Sequence, residues 1–191
     1  MLVETKNDLL VDLGLEDVQN STIDALVTGE SRYLKDLRMN LSGMRRVKEL
    51  NAKEQALIAM AIANNEGNAL LENAFAKKAK EAEATDVEIG EALACASLLS
   101  ANNVLYRFRH FMDSETYNRM PAGLRMNIMT NPVLGKEFFE LLSTAISAVN
   151  GCEMCVKSHE ASLLKMGTSE KRVWASIRLS AIIVSLCKVV Y

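Results

Sequence analysis

Residues 140–151 read ELLSTAISAVNG, and residues 56–67, which lie 84 positions earlier, read ALIAMAIANNEG. Both stretches carry apolar residues at helical spacing and run into a turn of Asn and Gly. When one is placed on the other, they match at Leu, Ala, Ile and Gly. We interpret them as the first helices of two related helical hairpins, so the sequence predicts an all-α fold built from two repeats.

The repeat also predicts how the chain is organised. Each copy is expected to contain a helix, an Asn/Gly turn, a second helix, a capped turn and a third apolar helix. Beyond the first turn, Thr85-Asp86 is matched to Thr168-Ser169 at an offset of 83. About seven or eight helices are expected in all, including a first one that starts at Leu9 and another that ends at Asn40.

We expect a single domain, because 191 residues is near the usual size of one. Residues 109–132 contain both prolines of the chain and are interpreted as the connection between the copies. The predicted division of residues 1–191 is N-terminal helices in 1–50, a first and inactive repeat in 51–110, and a second repeat with the reactive residues in 132–191.

The composition is typical of a helical globular protein that does not bind nucleic acid. Among 191 residues there are nine Gly and two Pro, 49% of residues are hydrophobic, and 5% are aromatic. Twenty-two basic and 24 acidic residues leave a net charge of −2, which provides no field for a polyanion. Since no secretory signal or membrane-length apolar run is visible, we expect a cytoplasmic protein without a membrane partner.

The second copy carries the reactive residues, because residues 152–159 read CEMCVKSH directly after the Asn/Gly turn. On a helix Cys152, Cys155 and His159 share one face, since they are spaced by three and four residues. Two thiols at this spacing can close a disulfide, and a helix N-terminus favours the thiolate. An imidazole one turn away can accept the thiol proton. The pattern predicts a redox site.

Glu140 is the candidate fourth member of this site. If the Asn/Gly turn joins two antiparallel helices, Glu140 on the first helix comes level with His159 on the second. A carboxylate among the apolar residues around Glu140 is costly without a partner. We predict that Glu140 and His159 form a proton relay, and that their pairing moves the pKa of the Glu140 carboxyl toward neutrality.

The pattern Glu140, eleven residues, Cys152-x-x-Cys155-x-x-x-His159 resembles the motif of the alkyl hydroperoxidase D proteins, within the carboxymuconolactone decarboxylase-like superfamily. The resemblance covers at least residues 135–191, and the repeat extends it to about residue 51. It implies an all-helical fold that forms trimers or larger rings. It also implies a thiol peroxidase, or a disulfide reductase for a partner peroxiredoxin of the alkyl hydroperoxide reductase type.

The resemblance further implies the role of each site residue. Cys155 would attack the peroxide, Cys152 would resolve the sulfenic acid, and Glu140 and His159 would relay the proton. Electrons would come from dihydrolipoamide on a lipoyl-carrying protein, with no bound cofactor and no metal. One departure is Met154, which stands where some members of the family have a second histidine.

Reasoning from the residues alone leaves other interpretations open. The helix N-terminus favours Cys152 as the attacking sulfur, whereas the proximity of His159 favours Cys155. Zinc could bind the two cysteines and His159, although His110 is too distant in sequence to be a clear fourth ligand. The scaffold could also have a non-redox role, as a decarboxylase-like enzyme or as an oligomeric binding module.

The remaining expectations concern the rest of the chain. Cys95 and Cys187 are expected to be core residues. The first copy is expected to be chemically silent, because Ala56, Asn68, Leu71 and Phe75 stand where the second copy has its reactive groups. A homo-oligomer, expected to be a trimer, is predicted from the apolar residues crowded near the C-terminus: Trp174, Ile177, Leu179, Ile182, Ile183, Leu186 and Val189.

Overall fold

A computed structural model describes residues 1–191 and confirms the predicted all-α class, with ten α-helices, one 3-10 turn and no β-strand. The 3-10 turn, Asn127–Met129, lies between the seventh and eighth helices. The helices are α1 (Leu2–Leu13), α2 (Ser21–Thr28), α3 (Tyr33–Met44), α4 (Ala52–Asn65), α5 (Ala69–Glu81), α6 (Asp86–Met112), α7 (Glu115–Arg119), α8 (Lys136–Val149), α9 (Glu153–Lys165) and α10 (Glu170–Cys187).

Helices α4 and α5 have the same local geometry as α8 and α9. The first helix of each pair has 14 residues and the second has 13. Each turn contains a glycine in the left-handed region, Gly67 at φ 71° and Gly151 at φ 68°. The next residues, Asn68 and Cys152, have nearly equal backbone angles, with φ −95° and ψ 87° against φ −94° and ψ 90°.

The offset of 84 continues into the third helix of each copy. The N-cap residues of α6 and α10 are Thr85 and Ser169, and each side-chain oxygen accepts the backbone N–H three residues later. The predicted match of Thr85 to Thr168 at an offset of 83 is therefore wrong by one residue. The error arose because threonine and serine can both cap a helix, so residue identity alone did not choose between neighbouring positions.

Several predicted boundaries were also wrong. Helix α1 begins at Leu2 instead of Leu9, and α3 continues to Met44 instead of stopping at Asn40. Helix α6 extends to Met112, so the irregular connection begins at residue 113. The connection contains the short helix α7, which the predicted count of seven or eight did not include. Helix ends are poorly marked by apolar spacing, because the final turn is often exposed.

The core is centred on α4 and α8, which are buried on almost all sides. Residues 56–63 of α4 and residues 138–147 of α8 are all buried, and α6 and α10 both pack against this pair. A helix in such a position has no solvated face, which explains the continuous apolar run of residues 56–63 in α4. It also explains why a carboxylate at Glu140 is buried.

Arg172 on α10 ties the starts of three helices together. Its guanidinium lies 2.6 Å from Glu54 Oε1 on α4 and 2.9 Å from Glu137 Oε1 on α8, and it also donates to the Glu49 carbonyl. Thr168 donates a further hydrogen bond to Glu137. This network fixes the N-terminal end of α8, the helix that carries Glu140. None of the helices combines the length and hydrophobicity needed to cross a bilayer.

Candidate functional site

Cys152 and Cys155 lie at the start of α9 and are joined by a disulfide, with their Cα atoms 5.3 Å apart. Cys152 is the N-cap residue and makes no side-chain capping bond. At the matching position of the first copy, Asn68 Oδ1 accepts the N–H of Leu71 at 2.9 Å. The second copy therefore has a thiol where the first has a helix-capping amide.

The two sulfur-bearing residues differ in access. Cys152 is fully buried, whereas Cys155 is 7% exposed and forms part of a pocket wall. The sequence left open whether Cys152 or Cys155 is the attacking sulfur. The difference in exposure favours Cys155, since a small substrate can approach it from the pocket. Cys152 has no exposed surface and does not line the pocket.

Glu140 and His159 meet across the α8–α9 hairpin. His159 Nδ1 lies 2.6 Å from Glu140 Oε2, and the side chains are 11% and 6% exposed. The contact follows from the antiparallel arrangement that the Asn/Gly turn imposes, in which residues on either side of the turn come level. With Nδ1 engaged by the carboxylate, Nε2 is the ring nitrogen left for other partners.

Glu140 has a second partner that the sequence analysis missed. Lys136 Nζ lies 3.0 Å from Glu140 Oε1, so each carboxylate oxygen faces a different side chain. Burial raises the pKa of the Glu140 carboxyl, but the hydrogen bonds from His159 and Lys136 outweigh burial, and the pKa lies below its usual value of 4.5. The expected shift toward neutrality is therefore wrong, because the hydrogen bonds from His159 and from the Lys136 ammonium favour the ionised carboxylate.

A pocket of about 290 Å³ lies against Cys155 and His159. Its walls come from α6, from the connection between the copies and from α9, and most of its surface is apolar. Asn102 on α6 donates to the sulfur of Met126 on the connection, at 3.1 Å. The lining residues are Leu99, Asn102, Tyr106, Met126, Met129, Met154, Cys155, Ser158 and His159.

The connection that forms one pocket wall is held in place by a buried carboxylate. Glu91 on α6 is 8% exposed and accepts the backbone N–H groups of Val133 at 2.8 Å and Leu134 at 2.6 Å. Sequence reasoning missed this wall. Met126 and Met129 lie in an irregular segment, where no periodic pattern indicates which side chains face the site.

Other candidate residues lie outside the reactive centre. Cys95 and Cys187 are buried free thiols, as expected of core residues. Burial raises the pKa of the Cys95 thiol to about 12 and that of Cys187 to about 11. His110 is partly exposed and pairs with Glu153 at 3.2 Å, on the first turn of α9. No group of three or more His, Cys, Asp or Glu side chains is arranged as a metal site.

Sequence comparisons place the chain among known proteins. A profile of the Carboxymuconolactone decarboxylase family matches residues 115–191. The protein named "Alkyl hydroperoxide reductase AhpD" from Maricaulis maris (strain MCS10) is 39% identical over 170 residues, which cover 88% of this chain and 96% of that protein. The protein of the same name from Rhodopseudomonas palustris (strain BisA53) is 40% identical, over 86% of this chain and 91% of its own length. A third, from Coxiella burnetii (strain Dugway 5J108-111), is 38% identical over 82% and 90%.

Proposed function

Since this chain belongs to the AhpD family, we propose that it is an antioxidant thiol peroxidase or disulfide reductase, acting in the cytoplasm through Cys152 and Cys155. Its substrate is an organic hydroperoxide or the disulfide of a partner peroxiredoxin, and the names of its relatives agree with this chemistry. The observation that supports the proposal best is the position of Cys155, one of the two disulfide-bonded cysteines. Cys155 lines a pocket together with His159, which is hydrogen-bonded to a buried carboxylate.

The peroxidase cycle begins with the reduced dithiol. His159 takes the proton of the Cys155 thiol, and the thiolate attacks the distal oxygen of the hydroperoxide. The O–O bond breaks, the alkoxide takes a proton to leave as the alcohol, and Cys155 becomes a sulfenic acid. The Cys152 thiol then displaces water and closes the disulfide. Each turnover thus reduces one hydroperoxide and oxidises two thiols.

A dithiol donor is needed to restore the reduced state. We propose dihydrolipoamide on a lipoyl-carrying protein, which attacks the disulfide and leaves as the cyclic disulfide. In the alternative route, the reduced pair passes its electrons to the disulfide of a peroxiredoxin of the alkyl hydroperoxide reductase type. The mainly apolar pocket is compatible with an extended carbon chain reaching the sulfur.

A thiol titration tests the redox proposal directly. One equivalent of an organic hydroperoxide, added to the reduced protein, is expected to lower the number of free thiols, counted after unfolding in denaturant, by two per chain. The Cys187→Ala variant serves as a control, since that thiol is buried and does not line the pocket, and it should show the same loss. A thiol count that does not fall would contradict the redox role and favour a decarboxylase-like enzyme or a binding module.

A turnover assay tests the electron donor. We expect the protein to consume peroxide when dihydrolipoamide is the electron donor. At equal thiol concentration, consumption should be much slower with thioredoxin or glutathione. Faster turnover with thioredoxin or glutathione would contradict the choice of donor. Added peroxiredoxin distinguishes the two routes. If the rate of peroxide consumption rises with the concentration of peroxiredoxin, this protein acts as the reductant of the peroxiredoxin.

A further inference from the structure

Lys136 is unusual for its place in the helix. It is the first residue of α8, where a positive charge opposes the helix dipole. It also precedes Glu140 by four residues, which is the less favourable order for a helical Lys–Glu pair. The stability of α8 therefore does not explain a lysine at this position.

Lys136 and His159 each contact a different oxygen of the Glu140 carboxylate. The ammonium lies 3.0 Å from Oε1, while His159 Nδ1 lies 2.6 Å from Oε2. Lys136 also donates to the carbonyl of Met129 at 2.8 Å, in the wall of the pocket. Its own side chain is 48% exposed, whereas that of Glu140 is 6% exposed, so the lysine covers the carboxylate from the solvent side.

The first copy provides an internal comparison. At an offset of 84, Lys136 matches Ala52 and Glu140 matches Ala56, while His159 matches Phe75. The lysine is thus absent from the copy that has neither the glutamate nor the histidine. The backbone of that copy is nearly identical at the hairpin turn, so a lysine is not needed to build the fold.

We propose that Lys136 is a positioning residue of the redox site, which binds Glu140 as a permanent anion so that His159 alone carries the proton. The inference rests on the proposed function, since it assigns the division of labour within that site. Glu140 then orients the His159 ring and offsets its charge when it is protonated. Through Met129, the same ammonium connects the wall of the pocket to the proton-carrying pair.

The other titratable groups around Glu140 do not supply this charge. His159 and Cys155 face the region from α9, and Cys95 faces it from α6, with Glu91 close to Cys95. Cys95 stays neutral because burial raises its thiol pKa to about 12, and Glu91 is an acid. Lys136 is therefore the one permanent cation that contacts Glu140.

Carbon-13 NMR of the glutamate carboxyl carbons in the full-length protein tests the assignment, with the Glu140 signal identified by its loss in Glu140→Gln. Removing an adjacent cation raises the pKa of a carboxyl by about one unit or more. We expect that rise in Lys136→Met and a value near wild type in Lys136→Arg. The control is Lys157→Met, which removes an exposed lysine that pairs with Glu153. Its Glu140 titration should match wild type.

The rate of Cys155 alkylation against pH gives a second readout. Protonation of Glu140 removes the anionic partner of His159, so on acidification the alkylation rate should fall at a higher pH in Lys136→Met than in wild type. A Glu140 titration unchanged in Lys136→Met, or shifted equally in Lys157→Met, would overturn the inference. The NMR result decides the charge role of Lys136 even if wild-type protein fails to reduce peroxide, a failure that would instead contradict the proposed function.

Discussion

At the scale of single residues, the exposure of the two site cysteines predicts distinct roles. Cys155 lines the pocket with His159, whereas Cys152 is fully buried. We expect Cys152→Ser to consume about one equivalent of hydroperoxide per chain and to stop as the Cys155 sulfenic acid, because no thiol remains to condense with it. Cys155→Ser should not react. Mass spectrometry of the treated variants measures this as a gain of one oxygen.

The reverse result would reassign the nucleophile. If Cys155→Ser gains one oxygen while Cys152→Ser does not react, the sulfur at the helix N-cap is the attacking one. The helix N-terminus would then outweigh the proximity of His159 and the open side of the pocket.

Glu140→Gln tests the carboxylate itself. The substitution keeps the size of the side chain but removes the charge that orients His159, and it leaves Lys136 without its anionic partner. We expect thiol oxidation by peroxide to slow by about 10²-fold, because His159 loses the anion that orients it and with it the general acid/base catalysis that His159 provides. Stopped-flow measurement at neutral pH checks this. Glu160→Gln is the matched control on α9, since Glu160 follows His159 but makes none of the hydrogen bonds of the site; equal slowing there would contradict the role of Glu140.

At the scale of elements, the start of α9 carries a redox cysteine at the position where a capping side chain would stabilise the helix. Cys152 takes the N-cap position with the same backbone angles as Asn68, yet makes no capping bond. A serine can accept the N–H of residue 155, so Cys152→Ser should be more stable than Cys152→Ala by about 1 kcal/mol. Urea unfolding of both variants under reducing conditions gives the difference. Equal stability would show that a side-chain cap contributes nothing at this turn.

The α8–α9 hairpin also shows what the sequence could predict. Apolar spacing and the Asn/Gly turn indicated two antiparallel helices, and the position of Glu140 relative to the turn was enough to bring it to His159. The spacing of four residues between Lys136 and Glu140 also indicated that the two side chains could pair. Such Lys–Glu pairs are common on helix surfaces and contribute little, so the spacing alone does not identify a site residue. The effect of Lys136 depends on the burial of Glu140, which only the packing of α8 against its neighbours reveals.

The pocket walls could not be predicted in the same way. Leu99, Asn102 and Tyr106 occupy one face of a long helix whose neighbours are set by tertiary packing. Met126 and Met129 lie in a connection without periodicity. Its backbone N–H groups donate to Glu91, and Lys136 donates to the carbonyl of Met129. Long-range contacts of this kind leave no local pattern in a single sequence.

At the scale of the whole molecule, several paired carboxylates make the fold sensitive to acid. The pKa of Glu137 is lowered by its hydrogen bond to Arg172, and those of Glu88 and Glu140 are also lowered. A carboxyl with a lowered folded-state pKa stabilises the fold above its unfolded pKa, and that contribution is lost as pH falls through the folded value. We therefore expect the free energy of unfolding to decline below about pH 4.5.

Urea unfolding between pH 7 and pH 3 measures this decline. Glu137→Gln should be less stable than wild type at pH 7, because Arg172 loses a partner, and the two proteins should converge at low pH. A constant difference between them across the whole range would contradict the electrostatic explanation.

Self-association is expected, but the structure changes where the interface should lie. Of the C-terminal apolar residues that suggested it, Leu179, Ile183, Leu186 and Val189 are buried in the chain's own core. The larger exposed apolar surface is on the second half of α6 and the adjoining connection. Its exposed fractions are 60% for Val104, 44% for Phe108, 73% for Phe111, 47% for Met112 and 38% for Leu124. A surface of this kind on a water-exposed helix is typical of an interface.

We therefore expect a homo-oligomer, a trimer by resemblance to the family, in which this surface of α6 is covered by another copy of the chain. Light scattering should give a mass of several times 21.1 kDa, and Phe111→Glu should lower it by placing a charge in an apolar contact. Val3→Glu, at a comparably exposed apolar position on α1, is the control and should leave the mass unchanged.

Trp174 on α10 is 64% exposed and is the alternative location for the interface. If Trp174→Glu dissociates the oligomer and Phe111→Glu does not, the interface lies on α10 and the α6 surface has another role. A wild-type mass of 21.1 kDa at micromolar concentration would contradict self-association altogether.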